Sequence, residues 1–133
     1  MRMIFVNLPV TDLPATRAFW SALGFGFDEQ YSDDAAACLV IDDNVFAMLI
    51  TEPRFADFST LPVADAHATK EVLLCVTCED RAEVDDLLAR ALAAGGKTWK
   101  DAFEAGPMYG GSFQDLDGHV WELMAMAPAG AAG

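Results

Sequence analysis

Near its end the chain reads DLDGHVWELM over residues 115–124, and Glu122 stands there alone among bulky apolar neighbours. Asp117-Gly118 predicts a two-residue hairpin turn of type I′, in which both central residues take φ > 0. A strand should follow, with alternate side chains on opposite faces. His119, Trp121 and Leu123 then share one face, and Val120, Glu122 and Met124 the other. An unpaired buried carboxylate is costly, so Glu122 is expected to face a wet cavity or a partner rather than a dry core. The second candidate, Glu71, opens the run EVLLCVTC, residues 71–78. Two carboxylates on one face raise each other's pKa and can act as an acid/base pair. With water completing the shell they can instead hold a hard divalent ion weakly. Hydrogen bonding at the rim of a cavity is the plain structural use for both.

Other reactive side chains are sparse. Cys75-Val-Thr-Cys78 matches the C-x-x-C spacing, but it lies in a strand pattern, where residues three apart face opposite sides. Cys38, Cys75 and Cys78 are therefore expected to be reduced and mostly buried thiols. Only two histidines exist: His67, expected in solvent, and His119, expected in a structural role. There is no glycine-rich nucleotide loop and no Ser/His/Asp or catalytic-cysteine signature. The run EAGPMYGGS, 104–112, reads either as a glycine-rich connection or as a lid that brings Tyr109 to a ligand.

The formal net charge of −13, from 21 acidic and 8 basic residues, argues against nucleic acid and anionic membrane as partners. Although 53% of the 133 residues are hydrophobic, no uninterrupted apolar run is long enough to span a bilayer. Met1-Arg2 leads directly into a strand-like run with no cleavage-site pattern, so a cytoplasmic location is expected.

The elements that must carry these residues appear twice. MIFVNLPV, residues 3–10, is followed by an Asp12 N-cap, Pro14 in the first turn, and a helical stripe of Ala15, Ala18, Phe19 and Ala22 that ends at Gly24. EVLLCVTC is followed by Asp80-Arg-Ala-Glu83, a capping-box pattern, and a stripe of Val84, Leu87, Leu88 and Ala91 ending at Gly95-Gly96. Three short strands are predicted after each helix: about 25–31, 36–42 and 45–52, then about 97–103, 111–115 and 119–126. Residues 1–52 thus form a first strand–helix–strand–strand–strand module and 69–126 a second. Residues 53–68, with Pro53 and Pro62, read as a linker, and 127–133 as a disordered tail. Aligning Asp43-Asn44 with Asp117-Gly118 sets Met48 against Glu122, and aligning Val10 with Val76 sets Phe5 against Glu71.

This repeat, with VNLPVTDLPATRAFWSALGF at the start and SFQDLDGHVWELM at the end, resembles the vicinal oxygen chelate superfamily of glyoxalase I, bleomycin-resistance proteins and extradiol dioxygenases. The closest likeness is to small bacterial glyoxalase-like proteins labelled predicted lactoylglutathione lyases. The resemblance implies an α+β fold in which two tandem βαβββ modules pair into a curled, cup-shaped mixed sheet around a small organic ligand. It places metal ligands at Phe5, Met48, Glu71 and Glu122. Phe5 has no donor and a Met thioether is too soft for the ions these folds use, so either no metal or a weakly held divalent ion at Glu71 and Glu122 is expected. Phe5, Phe46, Met48, Leu73 and Met124 would line the cup with apolar surface, with Asn7 on the same face as Phe5. Two functions follow: a lyase-like enzyme acting on a carbonyl or thiol-conjugate substrate, or a metal-free protein that sequesters its ligand. A homodimer is expected, because curled sheets of this kind leave edges exposed.

Overall fold

The computed structural model describes residues 1–127. Of the expected tail only Ala127 falls among them, and its N–H donates to the Pro107 carbonyl at 2.8 Å; the remainder lies outside the described residues. The chain divides into two compact units, one from Met1 to Asp65 and one from Ala66 onward. Both mix strands and helices, in the α+β class that the pattern predicts.

The first unit runs β1 (Ile4–Val10), α1 (Leu13–Ala22), β2 (Gly26–Phe27), a 3₁₀ turn (Glu29–Tyr31), β3 (Ala36–Asp42), β4 (Val45–Thr51) and α2 (Glu52–Asp57). Its sheet order is β1-β4-β3-β2, with β1 parallel to β4 and the other pairs antiparallel. Asp12 caps α1 by accepting from Ala15 N–H at 3.0 Å. The buried stripe is Leu13, Thr16, Phe19 and Trp20, continued by Leu23; Ala18 and Ala22 face solvent. The expected alanine stripe is thus rotated, because turning Phe19, Trp20 and the two leucines inward buries far more apolar area than turning the alanines inward. The second strand is only two residues long. Asp28 accepts from Gln30 N–H at 3.0 Å and starts a 3₁₀ turn in its place. α2 begins the segment read as a linker, with Pro53 in its first turn, where a missing N–H is harmless.

The second unit runs β5 (Leu73–Thr77), α3 (Arg81–Ala93), β6 (Lys97–Thr98), β7 (Phe103–Ala105), β8 (Met108–Gln114) and β9 (Val120–Met126). The order is β5-β9-β8-β6, with β7 also on β8, and β5 is parallel to β9. Asp80 accepts from Glu83 N–H, and the Glu83 carboxylate accepts from Glu79 N–H, both at 2.9 Å. Val84, Leu87 and Ala91 are buried, as the periodicity predicts. A Cβ on Gly111 would lie 2.5 Å from Leu88 Cδ1, so this glycine lets α3 lie close on β8. Most of the run 104–112 is a β7–β8 hairpin turning at Gly106-Pro107, because Phe103, Glu104 and Ala105 pair with Gly110, Tyr109 and Met108. No helix among the described residues is long and apolar enough to cross a membrane.

The connection before β9 also differs from its prediction. Among the described residues only glycines have positive φ, so Asp117 cannot occupy a type I′ position; in this connection Gly118 alone has positive φ, at 82°. Gly118 N–H donates to the Asp115 carbonyl and Asp115 N–H to the His119 carbonyl, which makes a three-residue loop with a glycine bulge. The buried Asp115 carboxylate organises it. One oxygen accepts from Asp117 and His119 N–H and the other from Trp121 Nε1, each at 3.0 Å. Burial pushes the Asp115 carboxyl up, against the downward pull of His119 and these donors. Lys70 donates to the carbonyls of Ala66 and Gly118, holding the segment before β5 against the loop. Asp115→Asn would keep an oxygen for the two backbone donors but set an amide N–H₂ against Trp121 Nε1. It is expected to lower stability by about 1–3 kcal/mol, read as a shift in the urea unfolding midpoint at unchanged slope.

Candidate functional site

Strand register decides which candidates meet. In the first unit Phe5 pairs with Phe46 and Asn7 with Met48, while Met48 also faces Cys38 and Phe46 faces Val40 across β3. These side chains share one face, because directly paired residues point to the same side. Phe5 is 38% exposed and Phe46 is buried. Their rings stack with centroids 4.9 Å apart and planes 14° from parallel, and Tyr31 approaches Phe5 edge-on at 6.0 Å. Asn7 is exposed beside them.

In the second unit Cys75 pairs with Glu122, Leu73 with Val120 and Thr77 with Met124. Ser112 pairs with Glu122 from the other side, and Gly110 with Met124. The face holding Glu122, half-exposed at the middle of β9, therefore also holds Cys75, Ser112, Leu73 and Met124. Ser112 Oγ is engaged with the backbone of Lys100, accepting its N–H at 3.1 Å. Tyr109 lies on the opposite face. Its hydroxyl donates to Asp85 on α3, and the Arg81 guanidinium sits 4.1 Å from its ring centre. Arg81 also pairs with Glu104. Tyr109 thus lines a cleft of about 390 Å³ with Arg81, Glu104 and Met108, away from Glu122.

Glu71 lies in an exposed bend two residues before β5. Counting back from the helix caps, Phe5 precedes Asp12 by seven residues and Leu73 precedes Asp80 by seven. Leu73 is therefore the counterpart of Phe5, and Cys75 that of Asn7. Aligning the two first strands on Val10 and Val76 displaces this correspondence by two residues; the cap-to-strand spacing carries the right one. Phe5, Met48 and Leu73 offer no hard donor, and among the described residues no group of three or more His, Cys, Asp or Glu is placed to share an ion. The donor set does not fit a tightly held divalent metal.

The cysteines depart from the expectation of mostly buried thiols, since only one of the three is buried. Cys38 is buried, Cys78 intermediate and Cys75 exposed, because β5 is an edge strand and its outer face has no helix. Desolvation against the sheet, and then the Glu122 carboxylate, raise the Cys75 thiol above its ordinary range. Burial and then Glu83 push Cys78 up to about 11 from 9.0. Folded Cys78 therefore keeps its proton beyond the point where the unfolded chain loses it. Its contribution to stability is complete below pH 9.0 and is lost as pH rises through about 11. At pH 8, iodoacetamide should label Cys75 first, followed by peptide mass spectrometry, with Cys78 accelerating about tenfold per pH unit until its pKa. Glu122→Gln should speed Cys75 labelling about threefold, since a neighbouring carboxylate opposes the thiolate.

Residues 2–123 match the family model described as the Glyoxalase/Bleomycin resistance protein/Dioxygenase superfamily. No curated protein matches the chain by sequence. Among solved structures, the hypothetical protein SA1046 from S. aureus is similar at 25% identity and a TM-score of 0.80, covering 94% of both chains. A glyoxalase-related enzyme from Fulvimarina pelagi shares 21% identity at a TM-score of 0.80, over 100% of this chain and 95% of that one. The fosfomycin resistance protein FosX from Listeria monocytogenes shares the fold at 20% identity and a TM-score of 0.64, over 94% and 93% of the two chains. With a family model spanning nearly its whole length and this strand order in both units, the chain belongs to the glyoxalase/bleomycin resistance protein/dioxygenase superfamily.

Proposed function

We propose that this protein offers the apolar strand face of each unit, taken by itself, to a small organic ligand of carbonyl or thiol-conjugate type: Phe5, Phe46 and Met48 in the first, Leu73 and Met124 in the second. Glu122 is its acid/base group, and no transition metal is held tightly. One observation carries this reading. Of the two residues that each unit contributes at the superfamily's ligand positions, Phe5 and Met48 in the first and Leu73 and Glu122 in the second, only Glu122 can bind or move a proton. A half-exposed carboxylate beside apolar side chains is suited to proton transfer at an adjacent carbon or thiol, whereas polarising a carbonyl through a Lewis acid needs a complete donor set. Glu71, exposed before β5, is left without a role.

A second reading, sequestration without turnover, is favoured by the formal charge of −13 beside an apolar face, which suits a cationic, amphipathic ligand. Glu122→Gln separates the two. A catalyst should lose at least about a hundredfold in kcat toward carbonyl and thiol-conjugate substrates with KM nearly kept. A sequestering protein should show unchanged ligand-induced thermal stabilisation. Purified wild-type protein is expected to carry little nickel or zinc by elemental analysis; a stoichiometric ion lost in Glu122→Gln would overturn the metal-free reading.

We further propose a homodimer, since β1 and β5 are sheet edges with Met3, Ile4, Phe5, Val72 and Leu73 exposed along them. Sedimentation equilibrium at micromolar concentration should give twice the monomer mass; a clean monomer would overturn it.

A further inference from the structure

We infer that Lys70 is a positioning residue for Glu122: its ammonium fixes the β5–β9 register, and so sets the carboxylate beside Cys75 rather than Leu73 or Thr77. The strand does not set this register by itself. β5 has five residues and, among the described residues, pairs with β9 alone. Leu74 and Val76 are half-buried, while Leu73, Cys75 and Thr77 are exposed. A slip of one residue along β9 would exchange the two faces, and burial opposes it. A slip of two keeps every side chain on its own face, yet it brings Leu73 or Thr77 opposite Glu122.

What separates these registers lies just before the strand. Extending the observed pairing back from Leu73 and Val120 sets Glu71 opposite Gly118, and the segment 66–70 is fastened at that glycine. A Cβ on Gly118 would lie 2.7 Å from His67 Nδ1, 3.0 Å from His67 N and 3.1 Å from the Ala66 carbonyl carbon, so the segment rests directly on it. Lys70 Nζ donates to the Ala66 and Gly118 carbonyls and to Gln114 Oε1 at 3.4 Å, and it lies 5.1 Å from the Trp99 ring centre. Gln114 Nε2 donates to the Thr98 carbonyl at 3.0 Å, which turns Oε1 toward the lysine. An ammonium carries three donors and no acceptor, and here each donor has its own oxygen. A slip of two residues moves β5 by about 7 Å. With Lys70 held, that shift exceeds the reach of the short lead into Leu73 in one direction and doubles the chain back in the other.

Lys70→Met keeps most of the stem and removes the donors. Register is read in the full chain by NOEs between backbone protons of β5 and β9. A second readout is the rate of Cys75 labelling by iodoacetamide with Glu122→Gln, divided by the rate with Glu122 intact. In the Lys70 protein the NOEs should connect Cys75 with Glu122, and the ratio should be about three. In folded Lys70→Met those NOEs should be lost or displaced by two residues, and the ratio should fall to about one. Destabilisation alone would lower the unfolding midpoint and leave both readouts of the folded protein as they were. A ratio near one in the Lys70 protein, or either readout unchanged in folded Lys70→Met, would overturn the inference. Failure of both Lys70→Met and Lys70→Gln to fold would overturn it too, because the lysine would then hold the unit as a whole rather than its register. Neither readout involves a ligand, so the outcome is separate from that of the ligand-binding reading.

Discussion

The parallel pairing of the first strand with the last in each unit is the constraint on which everything else depends. β1 lies beside β4 and β5 beside β9, although a helix and at least two strands separate them along the chain. A parallel pair cannot be joined by a tight turn, so the intervening chain must leave the sheet and return. The helix serves that passage, and its apolar stripe then needs a sheet face to cover: Phe19, Trp20 and Leu23 in the first unit, Val84, Leu87 and Ala91 in the second. The opposite face carries the candidate residues. Register along the parallel pair decides which of them stand together, setting Phe5 beside Phe46 and Glu122 beside Cys75.

The two units fill the same plan with different physics. In the first, the positions facing each other are aromatic or apolar, and their cohesion comes from stacked rings and buried area. The second is held near its loop by polar groups. The Asp115 carboxylate gathers three N–H donors and Lys70 satisfies carbonyls of Ala66 and Gly118. Such groups are tolerable in a partly buried setting because each is met by a partner. The loop they organise immediately precedes β9, so they also hold the start of the strand that presents Glu122.

Much of this was legible along the chain. Two helices with their Asp caps, the repeated strand–helix opening, the three strands after α1, the strand faces of 4–10 and 119–126, and superfamily membership all follow from local patterns of caps, period and turn residues, whereas α3 is followed by four strands, β6 to β9, where three are predicted. These are short-range properties, set by which neighbours a residue has three or four places away. Even here the size of side chains overrode their spacing, since α1 buries Trp20 and Leu23 and leaves Ala18 and Ala22 in water.

Tertiary structure alone decided the rest. The partner of Glu122 is Cys75 because β5 and β9 are in that register, whereas matching the halves on Val10 and Val76 selects Glu71. Tyr109 turned toward α3 because the hairpin puts odd-numbered residues of β8 on the helix side. Asp115 became a buried staple because loop, strand and indole close around it. The physical reason is common to all three. A sequence determines alternation along a strand, which two faces preserve under a shift of two, while only hydrogen bonding between distant strands determines which residue stands beside which.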